Sequence, residues 1–351
     1  MNSQNNNGRP HSAAGAPNLA ALLARRVIGQ PAAMTGITPY VQMHQAGLAP
    51  EGRPVGVFLL LGPSGTGKTK TVEALAEILH GSERNVLRID CGEFQMEHEV
   101  AKLIGAPPGY LGHRETHPLL TQQKLNAATS ERSPLSIVLF DEIEKAASSL
   151  SRLLLGVLDK ASLRLGDNTS VNFERSLIFL TSNLGAREML SYLKPTFGFQ
   201  PGESRGEEEV SSKLQAIGMA AVRKRFAPEF VNRVDAIITY RPLTKKETET
   251  ILGLQLDELQ RHIFRRLGSR AFTLEMSKAA RAFLIDRGTS EEFGARELKR
   301  TLHRQLFQPL ACMVAAEEIP PQSAVRIDVS RDQTSLRFRV RTPAEELAPA
   351  A

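Results

Sequence analysis

The sequence predicts an α/β fold, with a parallel sheet of five strands followed by a small, mostly helical unit that ends in a short β-hairpin. Three observations predict this class. Five short apolar runs alternate with helical patterns, a glycine-rich turn follows the first run, and the apolar runs stop near residue 241. Strands that are buried on both faces and alternate with helices are typical of a parallel sheet covered by helices.

The elements follow one another regularly along the chain. The apolar runs are 55–61, 86–89, 136–140, 176–181 and 236–240, and the helical patterns between them are 69–80, 119–130, 146–160 and 208–225. Beyond Arg241 and Pro242 the pattern is helical over 244–267, 277–287 and 294–316, and the alternating segments 324–329 and 335–340 come last. Two short alternating segments in succession indicate a hairpin.

These patterns predict four segments. They are a disordered tail over 1–20, a P-loop domain over 21–241, a small C-terminal lid domain over 242–341 and a second tail over 342–351. The first tail is polar and lacks the apolar stretch of a secretory signal.

Composition excludes some classes of function. The net charge of +6, from 44 basic and 38 acidic residues, is small for 351 residues, and the basic residues form no stripe with interleaved aromatics, so nucleic acid is not the expected partner. Cys91 and Cys312 are too few for a cysteine-rich metal site, and two thiols are typical of a reducing cytoplasm. No apolar run reaches the roughly 18 residues of a membrane span, so a cytoplasmic protein without a membrane partner is expected.

A phosphate-binding loop is predicted between the first strand and the helix that follows it. The pattern G-x-x-x-x-G-K-[ST] is met by Gly62, Pro63, Ser64, Gly65, Thr66, Gly67, Lys68 and Thr69. Its glycines let backbone N–H groups converge on phosphate oxygens, and the helix N-terminus adds partial positive charge. Lys68 is expected to reach the β- and γ-phosphates of ATP, and Thr69 to bind Mg²⁺.

An acidic pair follows the strand at 136–140. Asp141 can hold the Mg²⁺ beside Thr69, and Glu142 is placed to act as the general base toward the attacking water. A carboxylate beside the attacking water indicates that ATP is hydrolysed and not only bound. The alternative is a solvated acidic helix start, which the phosphate-binding loop upstream disfavours.

Three further polar residues are candidates for the same site. Asn183 follows the strand at 176–181 and should lie level with the phosphates, since ligands bind at the carboxyl ends of parallel strands. Local sequence supports a turn-capping asparagine equally well. Arg233 precedes the last strand of the sheet and Arg296 begins a helix of the second unit, and local sequence alone favours surface arginines.

One tyrosine stands in a segment that breaks both helix and strand. The stretch "GAPPGYLG" over 105–112 contains Gly109, Tyr110, Leu111 and Gly112 and is predicted to be a loop with an exposed aromatic at its tip. An aromatic side chain there either packs on a neighbouring surface or makes large, non-directional contacts with a partner.

Taken together, the motifs resemble those of the Clp-type AAA+ ATPases, specifically the second ATPase module of ClpB, ClpC and ClpA. The motifs are "VIGQ", "GPSGTGKT", "LIGAPPGYLG", "VLFDEIEKA", "TSNLGA", "FAPEFVNRVD" and "FGARELKR", in the order and spacing of that family. The resemblance extends from residue 25 to residue 329, nearly the whole chain, here expected as a stand-alone single module.

The resemblance implies roles at the nucleotide. Val27 and Ile28 would line the adenine pocket, and Asn183 would be the sensor 1 residue. Arg233 would be an arginine finger that reaches the ATP of a neighbouring subunit, and Arg296 would be the sensor 2 residue of the same subunit. A trans-acting arginine implies a ring, by family a homohexamer with head-to-tail contacts.

The resemblance also implies a function: a ring-shaped ATPase that unfolds or remodels proteins by threading them through a central pore, gripped by the Tyr110 loop. Two alternatives are an AAA+ assembly switch that does not thread and, less favoured, a nucleic-acid motor or loader. Phe197, Gly198 and Phe199 lie where some family members carry a tripeptide that docks a ClpP-like protease, or they form a turn with incidental aromatics.

Overall fold

The computed structural model of the protein describes residues 18–105, 118–193, 206–290 and 294–342. Its strands are β1 (Gly56–Leu61), β2 (Leu87–Asp90), β3 (Ser136–Asp141), β4 (Ser162–Arg164), β5 (Ser170–Asn172), β6 (Ser176–Ser182), β7 (Ala236–Thr239), β8 (Thr273–Met276), β9 (Ala324–Val329) and β10 (Leu336–Arg341). Its α-helices are α1 (Leu19–Arg26), α2 (Pro31–Gln45), α3 (Lys68–His80), α4 (Ala101–Ile104), α5 (Gln122–Ala127), α6 (Ser148–Lys160), α7 (Ala186–Leu193), α8 (Glu207–Arg225), α9 (Pro228–Val231), α10 (Lys245–Leu267), α11 (Lys278–Gly288), α12 (Ala295–Leu302) and α13 (Gln308–Ala315).

The five predicted strands form one parallel sheet in the order β2-β3-β6-β1-β7, which confirms the predicted fold class. Alternate side chains of β1 point to opposite faces, as a strand requires. Leu59 and Leu61 join one hydrophobic core, and Phe58 and Leu60 join the other. Because both faces are covered, the strands read as continuous apolar runs.

Helix α2 was not predicted, although it lies against the sheet edge. Its buried residues Ala33, Met34, Ile37 and Val41 follow a helical spacing, but Pro39 lies inside the helix and weakens the pattern. The helix contacts β7 and β1. Its first residue follows Gln30, which the candidate site uses.

The C-terminal part has a hydrophobic core of its own, built from α10–α13 and three strands. The predicted hairpin is confirmed, since β9 and β10 pair antiparallel. The purely helical prediction before it was wrong at 273–276, where β8 pairs parallel with β9 and Leu274 lies opposite Val325. Four residues are too few to reveal a strand from their alternation alone.

The helix predicted over 294–316 is interrupted by a π-helical turn over 303–307. Pro309 follows it and has no N–H to donate, so a regular helix cannot continue through this point. In the described part of the chain, none of the helices combines the length and the apolar character that crossing a membrane demands.

Replacing Tyr240 with phenylalanine should lower the free energy of unfolding by about 1 kcal/mol. The Tyr240 hydroxyl donates to Thr71 Oγ1 at 2.8 Å in the core, while Thr71 keeps its own bond to the Gly67 carbonyl at 2.9 Å. Urea titration would measure the change. Tyr40→Phe is the control, with a smaller loss, because its bond to the Asp235 carbonyl is 3.5 Å long and half-buried. Equal losses of unfolding free energy in both variants would show that the hydrogen bond between Tyr240 and Thr71 adds no more stability than the longer bond of Tyr40.

Candidate active site

The candidate site lies where three neighbouring strands, β1, β6 and β3, end at the same edge of the sheet. Leu61 at the end of β1 pairs with Ser182 at the end of β6, so the segments after these strands start side by side. Asp141 is the last residue of β3. The carboxyl ends of parallel strands are where such sheets bind ligands.

The segment from Gly62 to Gly67 connects β1 to α3 and has the backbone of a phosphate-binding loop. Gly62, Gly65 and Gly67 have φ values of +142°, +73° and +105°, which residues other than glycine rarely adopt. A Cβ on Gly62 would also lie 2.5 Å from the Tyr240 carbonyl oxygen. The loop leads straight into α3, whose first N–H groups have no partner within the helix, so the segment suits an anion.

Lys68 is only 8% exposed and is the first residue of α3. Its Nζ donates to the carbonyls of Gly62 and Pro63, at 2.6 and 2.9 Å, and to Asn183 Oδ1 at 2.9 Å. Burial lowers the pKa of Lys68 to about 8, and the neighbouring carboxylates, Glu144 first, oppose that shift. A buried ammonium held by neutral acceptors is well prepared to receive a negatively charged phosphate.

Asp141 has partners on both carboxylate oxygens. The Thr181 hydroxyl donates to one oxygen, and the Arg88 guanidinium contacts the other. Thr69, the second candidate Mg²⁺ ligand, lies half-buried in the first turn of α3. A carboxylate and a hydroxyl are the hard oxygen donors that Mg²⁺ binds, with phosphates and water completing its shell.

Glu142 adopts a left-handed backbone conformation, with φ of +57°, which is uncommon for a residue with a side chain. The Thr181 hydroxyl oxygen accepts a hydrogen bond from the Glu142 N–H at 3.0 Å and helps to hold this turn. The Glu142 carboxylate contacts Lys145 Nζ at 2.5 Å and accepts from Asn183 Nδ2 at 3.2 Å. Residues in uncommon backbone conformations persist only where the surrounding structure holds them, and they cluster at functional sites.

Asn183 joins the phosphate-binding loop to the acidic pair. One end of its amide accepts from Lys68 and the other donates to Glu142. Its own N–H donates to Glu144 Oε1 at 3.0 Å. The structure therefore brings Lys68, Asn183 and Glu142 together in one chain of hydrogen bonds.

The two arginines lie in different surroundings. Arg296, near the start of α12, donates to Ser64 Oγ at 2.9 Å, and the Ala295 N–H donates to the Gly65 carbonyl at 3.0 Å. The C-terminal part thus touches the phosphate-binding loop. Arg233 forms its ion pair with Asp159 of α6 rather than with the loop.

Val27 and Ile28 form the turn after α1. Val27 is buried, and its Cγ1 would lie 3.8 Å from a Cβ on Gly67, so the turn borders the phosphate-binding loop. Ile28 is half-buried. The loop residues Gly109, Tyr110, Leu111 and Gly112 and the tripeptide 197–199 lie outside the described residues.

Four site residues were not predicted: Arg88, Thr181, Glu144 and Gln30. Gln30 stands in the "VIGQ" motif, and its amide donates to the Thr66 carbonyl at 3.0 Å. Thr181 precedes Asn183 at the strand end, which is the only sequence signal that it carries. Among the described residues, no group of three or more His, Cys, Asp or Glu side chains could hold a metal ion.

Comparison with known families agrees with this geometry. The family model described as the AAA domain (Cdc48 subfamily) matches residues 53–237, which is more than half of the chain. A second model, described as the C-terminal, D2-small domain of ClpB protein, matches residues 243–327. The chain therefore belongs to the AAA family, and this membership indicates an ATP-hydrolysing enzyme that binds nucleotide.

Within the family, the chain is similar to the protein named Chaperone protein ClpB. It is 39% identical over 315 residues to the Rhizobium meliloti protein, covering 90% of this chain and 34% of that protein. It is 37% identical over 322 residues to the Meiothermus ruber protein, covering 92% and 35%. The chain thus spans about a third of the length of these relatives, and the predicted resemblance to Clp-type ATPases is confirmed.

Solved structures of Hsp104 share the fold. One is a closed-state reconstruction of Hsp104 with ATPyS and FITC casein, and another is a complex of S. cerevisiae Hsp104 with casein in an extended conformation. Each matches with a TM-score of 0.76 and 28% identity over 92% of this chain, and the match covers 51% and 52% of the Hsp104 chains.

Proposed function

We propose that the protein hydrolyses ATP with Mg²⁺ in a homohexameric ring and uses the energy to unfold or remodel other proteins. The observation that carries the proposal is the chain of hydrogen bonds from Lys68 through Asn183 to Glu142. It connects the residue expected at the γ-phosphate with the residue expected at the attacking water. Casein appears in the names of both Hsp104 complexes that share the fold, and ATPyS appears in the name of one of them.

The phosphates of ATP would replace the backbone carbonyls as the hydrogen-bond partners of Lys68 Nζ. Its ammonium would leave the Gly62 and Pro63 carbonyls and neutralise the β- and γ-phosphates. Thr69 and Asp141 would hold Mg²⁺, whose charge would offset that of the phosphates. Asp141 would then exchange its contact with Arg88 for the ion.

Glu142 would accept the proton of the attacking water. The amide of Asn183 fixes its carboxylate from one side, and Lys145 contacts it from the other. Arg296 already donates a hydrogen bond to Ser64 in the phosphate-binding loop, and from this position it would reach the γ-phosphate. Val27 and Ile28 would contact the adenine.

Arg233 would complete the site of a neighbouring copy. Its guanidinium is half-exposed and forms an ion pair with Asp159 of the same subunit. Exchange of that partner for a neighbour's phosphate would make hydrolysis depend on assembly. The negative charge that develops in phosphoryl transfer is what such an arginine stabilises.

Replacing Tyr110 with alanine should abolish protein unfolding while ATP turnover persists. If the Tyr110 loop grips the threaded chain, loss of the aromatic ring removes the contact without touching the nucleotide site. The measurement is the ATP-dependent loss of fluorescence of a tagged, stably folded fluorescent protein. Glu142→Gln serves as the variant without turnover. Unfolding that survives Tyr110→Ala would contradict threading.

An assembly switch is the second candidate, and it predicts that the Tyr110→Ala variant behaves as the wild type does. A nucleic-acid motor is the third, and the small net charge of +6 disfavours it. Docking of a ClpP-like protease through Phe197, Gly198 and Phe199 stays a prediction, as does a location in the cytoplasm.

A further inference from the structure

The buried side chain of Gln30 connects the phosphate-binding loop with the segment that follows the sheet. Its Nε2 donates to the Thr66 carbonyl at 3.0 Å and to the Arg241 carbonyl at 2.9 Å, and its Oε1 accepts from the Arg241 N–H at 3.2 Å. The residue is 4% exposed. One amide thus holds backbone groups that lie far apart in the sequence.

The Arg241 side chain extends this connection to α10, the first helix of the C-terminal part. Its Nε donates to the Gly29 carbonyl at 3.1 Å, and its Nη2 contacts Glu247 Oε1 at 2.7 Å. The other oxygen of Glu247 accepts from the Thr244 N–H at 2.8 Å and so caps α10. Glu247 therefore belongs both to this connection and to the start of the helix.

Gly29 and Glu247 are closely packed against each other. Gly29 has φ of +77°, and a Cβ there would lie 2.6 Å from Glu247 Cδ. The turn before α2 and the start of α10 are therefore in direct contact. Displacement of one without the other would leave the Gln30 amide and the backbone groups that it contacts without hydrogen-bond partners, which is unfavourable in a buried position.

The C-terminal part reaches the phosphate-binding loop at a second place, through Arg296 on Ser64 and Ala295 on Gly65. The position of α10 and the position of Arg296 belong to the same small unit, which has its own core. A shift of α10 that moved this unit would therefore also move Arg296 relative to the loop.

We propose that Gln30 and Arg241 are positioning residues that carry the state of the phosphate-binding loop to α10. Movement of the Thr66 carbonyl on ATP binding is passed through the Gln30 amide, Arg241 and Glu247, and it sets where the small unit holds Arg296. The inference rests on the proposed ATP hydrolysis. It assigns the two residues no contact with ATP.

A kinetic comparison tests this role in the full-length chain. Gln30→Met keeps the size of the side chain and removes its hydrogen bonds, whereas Glu247→Gln keeps an acceptor for the α10 cap but weakens the contact with Arg241. Both variants should lower kcat about tenfold and leave KM for ATP nearly unchanged, because coupling of this kind typically changes an equilibrium about 5- to 150-fold. Lys245→Ala is the matched control, since it removes the 2.8 Å ion pair with Asp286 from the same helix turn.

A distance measurement separates positioning from mere stability. Cys312 is exposed in α13 and Cys91 is buried, so a Gln45→Cys variant offers one label on each unit. Energy transfer is read with a slowly hydrolysed ATP analogue and without it, in labelled chain diluted with an excess of unlabelled chain. In the wild type and in Lys245→Ala, the distance between the labels should change when the nucleotide binds. In Gln30→Met and Glu247→Gln this change should be absent. Melting temperatures show whether these two variants are folded.

Each outcome decides the matter. If the wild type hydrolyses ATP and its label separation does not respond, or if both variants respond as the wild type does, the inference is overturned and the proposed ATPase stands. If Gln30→Met fails to fold, Glu247→Gln decides alone. A wild-type chain that neither binds nor hydrolyses ATP overturns the proposed function together with the inference.

Discussion

Replacing Glu142 with glutamine is expected to reduce ATP turnover about 10²- to 10⁴-fold, the range that a general base contributes. Glutamine has nearly the same size and can still accept the hydrogen bond from Asn183 Nδ2, so the arrangement of the site should persist. What is lost is the proton acceptor and the ion pair with Lys145. ATP binding should survive, because the contacts of Lys68 are untouched.

Phosphate release at saturating ATP measures turnover, and calorimetry measures binding. Glu188→Gln is the control, because it makes the same change at an exposed position of α7. Turnover close to that of the wild type in the Glu142→Gln chain would remove Glu142 from the role of base. Loss of binding together with turnover would instead assign the residue to the architecture of the site.

Replacing Arg233 with alanine is expected to reduce turnover about 10³-fold or more, the lower end of what an arginine finger contributes. The expected cause is loss of a positive charge from the neighbouring subunit's phosphates. Mixing the Arg233→Ala chain with a Lys68→Ala chain should restore part of the turnover, since each chain supplies the group that the other lacks. Such rescue requires that the two groups act from different subunits.

Lys224→Ala controls for a general loss of positive charge, because Lys224 is exposed at the end of α8. Phosphate release is measured over a range of mixing ratios. If turnover in the mixtures falls to the weighted mean of the two inactive chains, Arg233 does not act in trans. An Arg233→Ala chain with normal turnover would show that the pair with Asp159 is its whole role.

The central sheet and the glycine-rich loop between β1 and α3 could be predicted because their signals are local. A fully buried parallel strand reads as an apolar run, and the glycines and Lys68 follow β1 directly. Asp141, Glu142 and Asn183 could be placed at one edge of the sheet because parallel strands end together. The structure adds that the Asn183 amide bonds both Lys68 and Glu142.

Other contacts depend on which distant segments meet, and no local pattern encodes that. Arg88 reaches Asp141 only because β2 lies beside β3, and Gln30 bonds a residue that is 211 positions away. Helix α2 was missed because Pro39 interrupts its pattern, and β8 was missed because its pairing with β9 defines it. Tertiary contacts overrode weak local preference in both cases.

ATP-driven action on proteins is tested most directly by measuring how ATP turnover responds to different polymers. Purified chain is assayed for phosphate release with casein as an unstructured protein, with DNA, and with neither. We predict that casein stimulates turnover in the wild type, that DNA does not, and that the Tyr110→Ala chain responds less to casein. Stimulation by DNA together with no response to casein would contradict the account and favour a nucleic-acid motor.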